Sequence, residues 1–374
     1  MSYTVIDLFS GAGGLSEGFR QAGFHVLAAN DFDEAAAATF QKTHPDTSFL
    51  EGSIQNITVD AVKKAAGIRK SQLDVLVGGP PCQGYSVYNH QRGMQDERSL
   101  LYREYLRIVE GLNPKWIILE NVTGITSAGD GEAVKAIQAG LNQLGYAVEA
   151  KILRAEEYGV PQERRRIIFM GSRLDNDIKW PEPTHGKGLL PLVAVRDAFG
   201  DLPELENGER LLKAPYEKFA LVPYQADLRV NSEWVTCHSA PRLGEVNLER
   251  LKHIPPGGSW RDIPFELLPK GMQRAKRSDH TKRYGRLRWD GLASTILTKC
   301  DIHWGAYIHP AQDRSISVRE AARLQSIPDY YEFQGSQTEQ YAQVGNAVPP
   351  LLARALANEI RHTLDAISRK SLAA

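Results

Sequence analysis

Short apolar runs alternate with stretches of helical spacing through the first 175 residues, and few folds accommodate that alternation. Val5-Ile6-Asp7-Leu8-Phe9, His25-Val26-Leu27-Ala28-Ala29, Val75-Leu76-Val77, Trp116-Ile117-Ile118-Leu119 and Arg166-Ile167-Ile168-Phe169-Met170 read as strands. Residues 15–22, 33–41, 100–112 and 132–144 carry helical periodicity between them. The pattern predicts a parallel sheet with helices on both faces. From about residue 178 to about 314 prolines and glycines are frequent and periodicity is weak. Residues 318–327 then read as a helix, 344–350 as a turn and 351–364 as a closing helix. The expected layout is an α/β domain over 1–178, a smaller irregular domain over 179–334, and a segment, 335–374, that returns to the first.

Bulk charge leaves the partner open. Lys+Arg and Asp+Glu balance at 45 each, yet residues 241–290 hold twelve basic against six acidic side chains. A local patch of that kind suffices for a nucleic acid. The three cysteines, Cys82, Cys237 and Cys300, are far apart and lack zinc-site spacing. Free thiols and a reducing compartment follow. A strand-like run begins at once, leaving no room for a signal peptide, and no apolar run approaches membrane-spanning length. The expectation is a cytoplasmic protein.

Four motifs sit where strands end. Gly78-Gly79-Pro80-Pro81-Cys82-Gln83 follows an apolar strand, and its stiff turn delivers a thiol at the sheet edge where open α/β sheets bind ligands. Asp7-Leu8-Phe9-Ser10-Gly11-Ala12-Gly13-Gly14 is a strand, glycine turn and helix start, the design of a nucleotide site, although a plain tight turn also fits. Its lack of a third glycine, at Ser16, argues against a dinucleotide pyrophosphate site and so against a nicotinamide oxidoreductase. In Asn30-Asp31-Phe32 the acid can receive ribose hydroxyls and the ring can stack on a base, or Asp31 can cap the next helix. Glu120-Asn121-Val122 places a carboxylate against apolar walls, as a proton donor or as a salt-bridged group. Before the last strand, alternation in Gln162-Glu163-Arg164-Arg165-Arg166 puts Gln162, Arg164 and Arg166 on one face, suited to a carbonyl oxygen or phosphate.

Together these stretches resemble the motif set of the DNA (cytosine-5) methyltransferases. The resemblance is collinear over roughly residues 5–170 and 317–360. It includes Arg319-Glu320-Ala321-Ala322-Arg323-Leu324-Gln325 and Gln343-Val344-Gly345-Asn346-Ala347-Val348-Pro349-Pro350. It implies a Rossmann-like S-adenosylmethionine-dependent methyltransferase sheet, α/β, with a target-recognition domain at about 178–314. It also implies methyl transfer to C5 of a flipped-out cytosine in double-stranded DNA, with S-adenosylhomocysteine as product and no metal.

Carried onto this chain, Cys82 adds to C6, Glu120 bonds N3 and the exocyclic amine, and Arg166, helped by Arg164, holds the C2 oxygen. The cofactor lies on Phe9, Gly11, Gly13 and Gly14, with Asp31 on its ribose and Phe32 against its adenine. Ser53, Ile54, Pro80, Leu100, Asn346 and Ala347 complete that set. Ser53 stands where the family usually has an acid. Gln83, Ser86 and Arg98 belong to a loop closing over DNA, and Arg242, Arg283, Arg286 and Arg288 to the recognition region. A monomer is implied, with a cognate restriction endonuclease as possible partner. A tRNA-methylating relative would carry a Cys-Phe-Thr signature, absent here. A silent homologue is disfavoured by intact Cys82, Glu120 and Arg166.

Overall fold

The computed structural model describes residues 2–68, 73–81, 101–127, 131–174 and 176–373. Two compact units emerge. One comprises Met1–Ala155, Arg165–Pro183 and Val348–Ala374, the other Glu156–Arg164 and Thr184–Ala347. Residues 156–164 and 335–347, assigned from composition to the first domain and the returning segment, therefore sit in the second unit. Backbone pairing explains the former, because Glu163 N donates to Ala293 O and Ala293 N to Pro161 O.

In the first unit the elements run β1 (Thr4–Leu8), α1 (Gly14–Gln21), β2 (His25–Asp31), α2 (Glu34–Thr43), β3 (Ser48–Glu51), α3 (Val59–Ala65), β4 (Val75–Gly78) and α4 (Leu101–Leu112). They continue with β5 (Trp116–Val122), α5 (Glu132–Gln143), β6 (Ala147–Arg154) and β7 (Arg165–Ser172). The seven strands are ordered β3-β2-β1-β4-β5-β7-β6. Pairing among β1 to β5 is parallel, but β7 runs antiparallel to both β5 and β6. The expected all-parallel sheet is thus mixed. A parallel neighbour needs a crossover of a dozen or more residues, usually an α-helix, and the link from β6 to β7 is shorter and carries a 3-10 turn, Ala155–Tyr158, in place of one.

The sheet buries Ile6, Leu8, Leu76, Ile117, Leu119 and Phe169 against Tyr105, Ile108 and Val109 of α4. The Tyr105 hydroxyl lies 2.9 Å from Leu76 O and 3.0 Å from Ile118 O, tying α4 to two adjacent strands. On the other side α1 packs closely on the closing helix, Pro350–Ala373. A Cβ at Gly14 would overlap the Val348 carbonyl oxygen, and one at Gly18 the Ala353 methyl.

The second unit holds α6 (Val195–Phe199), β8 (Arg210–Pro215), α7 (Pro223–Arg229), β9 (Trp234–Ser239), α8 (Glu245–Lys252), α9 (Val318–Leu324) and α10 (Gln337–Asn346). Strands β8 and β9 form an antiparallel pair. Helix α9 begins with a capping box, the Ser317 hydroxyl receiving the Glu320 amide and the Glu320 carboxylate receiving the Ser317 amide. Its arginines are buried and paired: Arg323 with Asp201 and, at 2.6 Å, with Asp329. Arg314 meets Glu320 through two bonds of 2.7 and 2.8 Å. A smaller core of Leu251, Ile254, Trp260, Ile263, Met272, Tyr284, Ile302 and Ile308 organises the proline- and glycine-rich region.

Candidate active site

Parallel strands β1, β2 and β4 end at one edge of the first unit's sheet, so the turns that follow them gather there. After β1 the chain enters the left-handed region at Phe9 (φ 55°), Gly11 (54°) and Gly13 (94°). For a bulky residue such as Phe9 that conformation is rare and marks a constrained turn. The Gly11 amide donates to the Asp31 carboxylate at 2.7 Å, and the Asp33 amide donates to its other oxygen at 2.9 Å. Burial raises the Asp31 pKa, opposed in part by these amide bonds. Asp33, not Asp31, caps α2, accepting from Ala36 N at 2.8 Å. Phe32 stands 67 % exposed beside this carboxylate.

The three glycines of the turn have different reasons to be there. A Cβ on Gly11 would meet nothing within 4 Å, so this position faces open space. One on Gly13 would press on His44 and Phe40, and one on Gly14 on the closing helix's entry. Gly11 is therefore not required by packing, whereas Gly14 is. Ser16 occupies the place of the missing third glycine and has its own task. Its hydroxyl donates to Asp7 Oδ2 at 2.7 Å and its amide at 3.1 Å. Asp7 is fully buried, and burial pushes its pKa up to about 7.

At the end of β2, the Asn30 amide donates to Leu50 O at 2.7 Å and Gly52 O at 2.9 Å, which fixes the turn carrying Ser53 and Ile54. Ser53 is partly exposed, whereas Ile54 is buried and offers its carbonyl to Arg107 at 2.9 Å.

Glu120 stands two residues before the end of β5 and pairs with Arg166 of β7, Nε to Oε1 at 2.7 Å, with side chains only 11 % and 13 % exposed. Antiparallel register explains the meeting. Arg166 lies opposite Val122, and Glu120, two residues back, shares that face. Burial lowers the Arg166 pKa, and the Glu120 charge works against that shift. A Cβ on Gly79 would come within 3.2 Å of the second Glu120 oxygen, so the backbone passes close to the carboxylate. Asn121 points the other way, and its amide donates to Pro80 O at 3.1 Å. Sequence reasoning gave Asn121 no task, although alternation at a strand end places it beside the β4 turn. Cys82, Gln83, Ser86, Arg98 and Leu100 lie outside the described residues.

Two expected ligand-facing arginines are committed elsewhere. Arg164 is buried in the second unit, and its guanidinium donates to Ile296 O, Gly345 O and Ala347 O. It does not join Arg166, because β7 begins only at Arg165 and alternation does not extend across that start. Arg286 is likewise buried, donating to Leu251 O, Ile254 O, His309 O and Gln312 O and pairing with Asp313 at 2.6 Å. It fastens the small core and is not placed for a phosphate. Arg242 and Arg288 are exposed, Arg288 beside Asp290 at 3.2 Å. Arg283 stacks 4.9 Å over the exposed Trp304 ring. Asn346 is exposed at the end of α10, and Ala347 beyond it is buried.

Comparison with known proteins gives a consistent result. The family model described as C-5 cytosine-specific DNA methylase matches residues 3–362. Type II methyltransferase M.AgeI of Thalassovita gelatinovora is 36 % identical over 424 aligned residues, covering 96 % of this chain and 99 % of that protein. Type II methyltransferase M.XorII of Xanthomonas oryzae is also 36 % identical, covering 96 % and 84 %. Among solved structures, a prophage-encoded putative DNA modification methyltransferase of E. coli superposes with a TM-score of 0.78 at 24 % identity. It covers 97 % of this chain and all of the other, a likeness of fold.

Proposed function

The chain belongs to the C-5 cytosine-specific DNA methylases, and on that premise we propose how its own residues carry the methyl transfer to cytosine C5. The observation that supports the reading most is the Glu120–Arg166 pair at the sheet edge, beside the Gly79 backbone of the turn that leads to Cys82. A carboxylate and a guanidinium side by side match the N3, exocyclic amine and C2 oxygen edge of cytosine.

Cytosine C5 is a poor nucleophile, and addition of a thiolate at C6 makes it reactive. Cys82 is the residue for that addition. A free thiol with a pKa near ~8.5 is mostly protonated at neutral pH, so a positively charged neighbourhood favours its reaction. Glu120 bonds N3 and the amine and favours ring protonation as the C6–sulfur bond forms. Arg166 holds the C2 oxygen. Once C5 carries the methyl group, loss of its proton lets the C6–sulfur bond break and returns the thiolate. The base must leave the duplex to reach this edge, at a cost of a few kcal/mol.

The residues after β1 and β2 fit S-adenosylmethionine, which when bound supplies an electrophilic methyl group. The Gly11 position faces open space, the Asp31 carboxylate stands ready for ribose hydroxyls, and Phe32 is an exposed ring for the adenine. Ser53, Ile54, Pro80, Leu100, Asn346 and Ala347 complete the proposed set, with Gly13 and Gly14 shaping the turn. For DNA, the exposed Arg242 and Arg288 and the stacked Arg283 are the proposed contacts of the recognition region, with Gln83, Ser86 and Arg98 in the loop. A monomer acting on double-stranded DNA in the cytoplasm, sharing its target with a cognate endonuclease, completes the reading. Among the described residues no helix is long and apolar enough to cross a membrane.

The test is a duplex carrying 5-fluorocytosine at the target position, which cannot lose a C5 proton. The wild-type enzyme accumulates a covalent adduct visible by mass spectrometry, and Cys82→Ser does not. An adduct that forms equally with Cys82→Ser would overturn the assignment.

A further inference from the structure

Arg164 has a different task from the arginine two residues along. Its guanidinium donates to Gly345 O at 3.1 Å, Ala347 O at 2.8 Å and Ile296 O at 3.3 Å. The first two carbonyls flank Asn346. Gln325 donates to Val344 O at 2.8 Å, and its own amide oxygen receives Gln162 at 3.1 Å. Gln162 also receives the Ile296 amide at 3.0 Å and donates to Leu324 O at 3.0 Å. The turn is held from the other side too, since a Cβ on Gly345 would overlap the Leu297 backbone. Gln162, Arg164 and Gln325 are buried, as are Val344, Gly345 and Ala347, while Asn346 between them is exposed.

A charged, fully buried guanidinium spent on carbonyls is a strong anchor, because unmade bonds to it are costly. Three carbonyls in a fixed fork also need arginine's planar donor set, which lysine lacks. We propose that Arg164 is a positioning residue whose task is to fix the 344–347 turn so that the Asn346 amide is presented outward to the cofactor. It does not touch the target base. The proposal rests on the reading of Asn346 as a cofactor residue and assigns the control of that contact to Arg164 and Gln325.

The experiment compares Arg164→Lys, Arg164→Ala, Gln325→Met, Asn346→Ala and Arg166→Met in the full-length protein. Two readouts are taken: S-adenosylhomocysteine affinity by calorimetry, and covalent trapping on 5-fluorocytosine DNA at saturating S-adenosylmethionine. Arg164→Lys and Gln325→Met keep charge or volume and serve if Arg164→Ala does not fold. The expected result is that the Arg164 and Gln325 variants weaken cofactor binding on the order of tenfold, as Asn346→Ala does, the scale of one well-placed hydrogen bond. Their trapping at saturating cofactor stays near wild type, whereas Arg166→Met loses it. If Asn346→Ala weakens binding but folded Arg164 variants do not, the positioning role is wrong and the Asn346 reading stands. If Asn346→Ala leaves binding unchanged, that reading fails and the proposal with it. Trapping lost in Arg164→Lys at saturating cofactor, as in Arg166→Met, also overturns it.

Discussion

Arg166 reaches diagonally across the β5–β7 pair to place its Nε 2.7 Å from Glu120 Oε1, and both side chains are nearly enclosed. Each residue is therefore a partner whose removal strands a charge. Glu120→Ala should destabilise the protein by about 3 kcal/mol, the scale of breaking a buried pair. The double variant Glu120→Gln/Arg166→Met should be no less stable than either single change in urea unfolding. Glu120→Gln should also slow methyl transfer by at least about 10²-fold, the range of a lost acid–base group. Near-normal transfer by Glu120→Gln in a tritium-transfer assay would sink its role.

Asp7 gives the first unit a pH dependence. Its ordinary value is 3.8 and burial pushes it up to about 7. In that window the folded state holds a proton that the unfolded chain has released, so stability falls as pH rises from about 4 to about 7 and then levels. The raised Asp31 pKa acts with the same sign. Asp7→Asn keeps an acceptor for the Ser16 hydroxyl and should flatten the decline, gaining most over wild type above pH 7. Thermal unfolding from pH 5 to 8 checks it, and an unchanged slope would count against a proton on Asp7.

Gly11 and Gly14 should separate by readout. Gly14→Ala forces a methyl into the Val348 carbonyl and should cost about 1–3 kcal/mol of stability, as overpacking does. Gly11→Ala meets no protein atom but must sit at φ 54°, which costs roughly 1 kcal/mol for a residue other than glycine. Its larger effect should be on S-adenosylmethionine affinity. Equal affinity in Gly11→Ala and wild type would remove Gly11 from the cofactor surface.

Two neighbouring arginines should likewise differ. Arg286→Ala strips four carbonyls and Asp313 of their donor and should lower stability by about 3 kcal/mol or more. Arg288→Ala should leave unfolding unchanged, weaken DNA binding and reduce its salt dependence by about one counterion. A salt series on both variants distinguishes them.

Much of the frame is legible in the chain because apolar periodicity and strand-end glycines are local signals. The helix spacing of 132–144 becomes α5, and the runs at Val5, Val75 and Trp116 become β1, β4 and β5. What escaped depends on tertiary contact. β6 lies at the sheet edge with most of its residues exposed or half-exposed, so its alternation is faint in the sequence. Arg164 and Arg286 look like any basic residue until their carbonyl partners, up to 183 positions away, are known. Gly14 reads as a ligand glycine until the closing helix arrives against it. Ser16 reads as a defect in a fingerprint until Asp7 is found beneath it.

The reversed direction of β7 sets where this molecule can be cut and rejoined. Its strand starts at Arg165, one residue beyond the 156–164 segment that belongs to the other unit. A chimera made by exchanging residues 179–334 alone would leave Arg164, Gly345 and Ala347 with the host and take Ile296 from the donor. A graft that carries residues 156–164 together with 184–347 keeps every bond of that clamp within one parent. Recombination between relatives of different target sequence is then a problem of two segments exchanged at once.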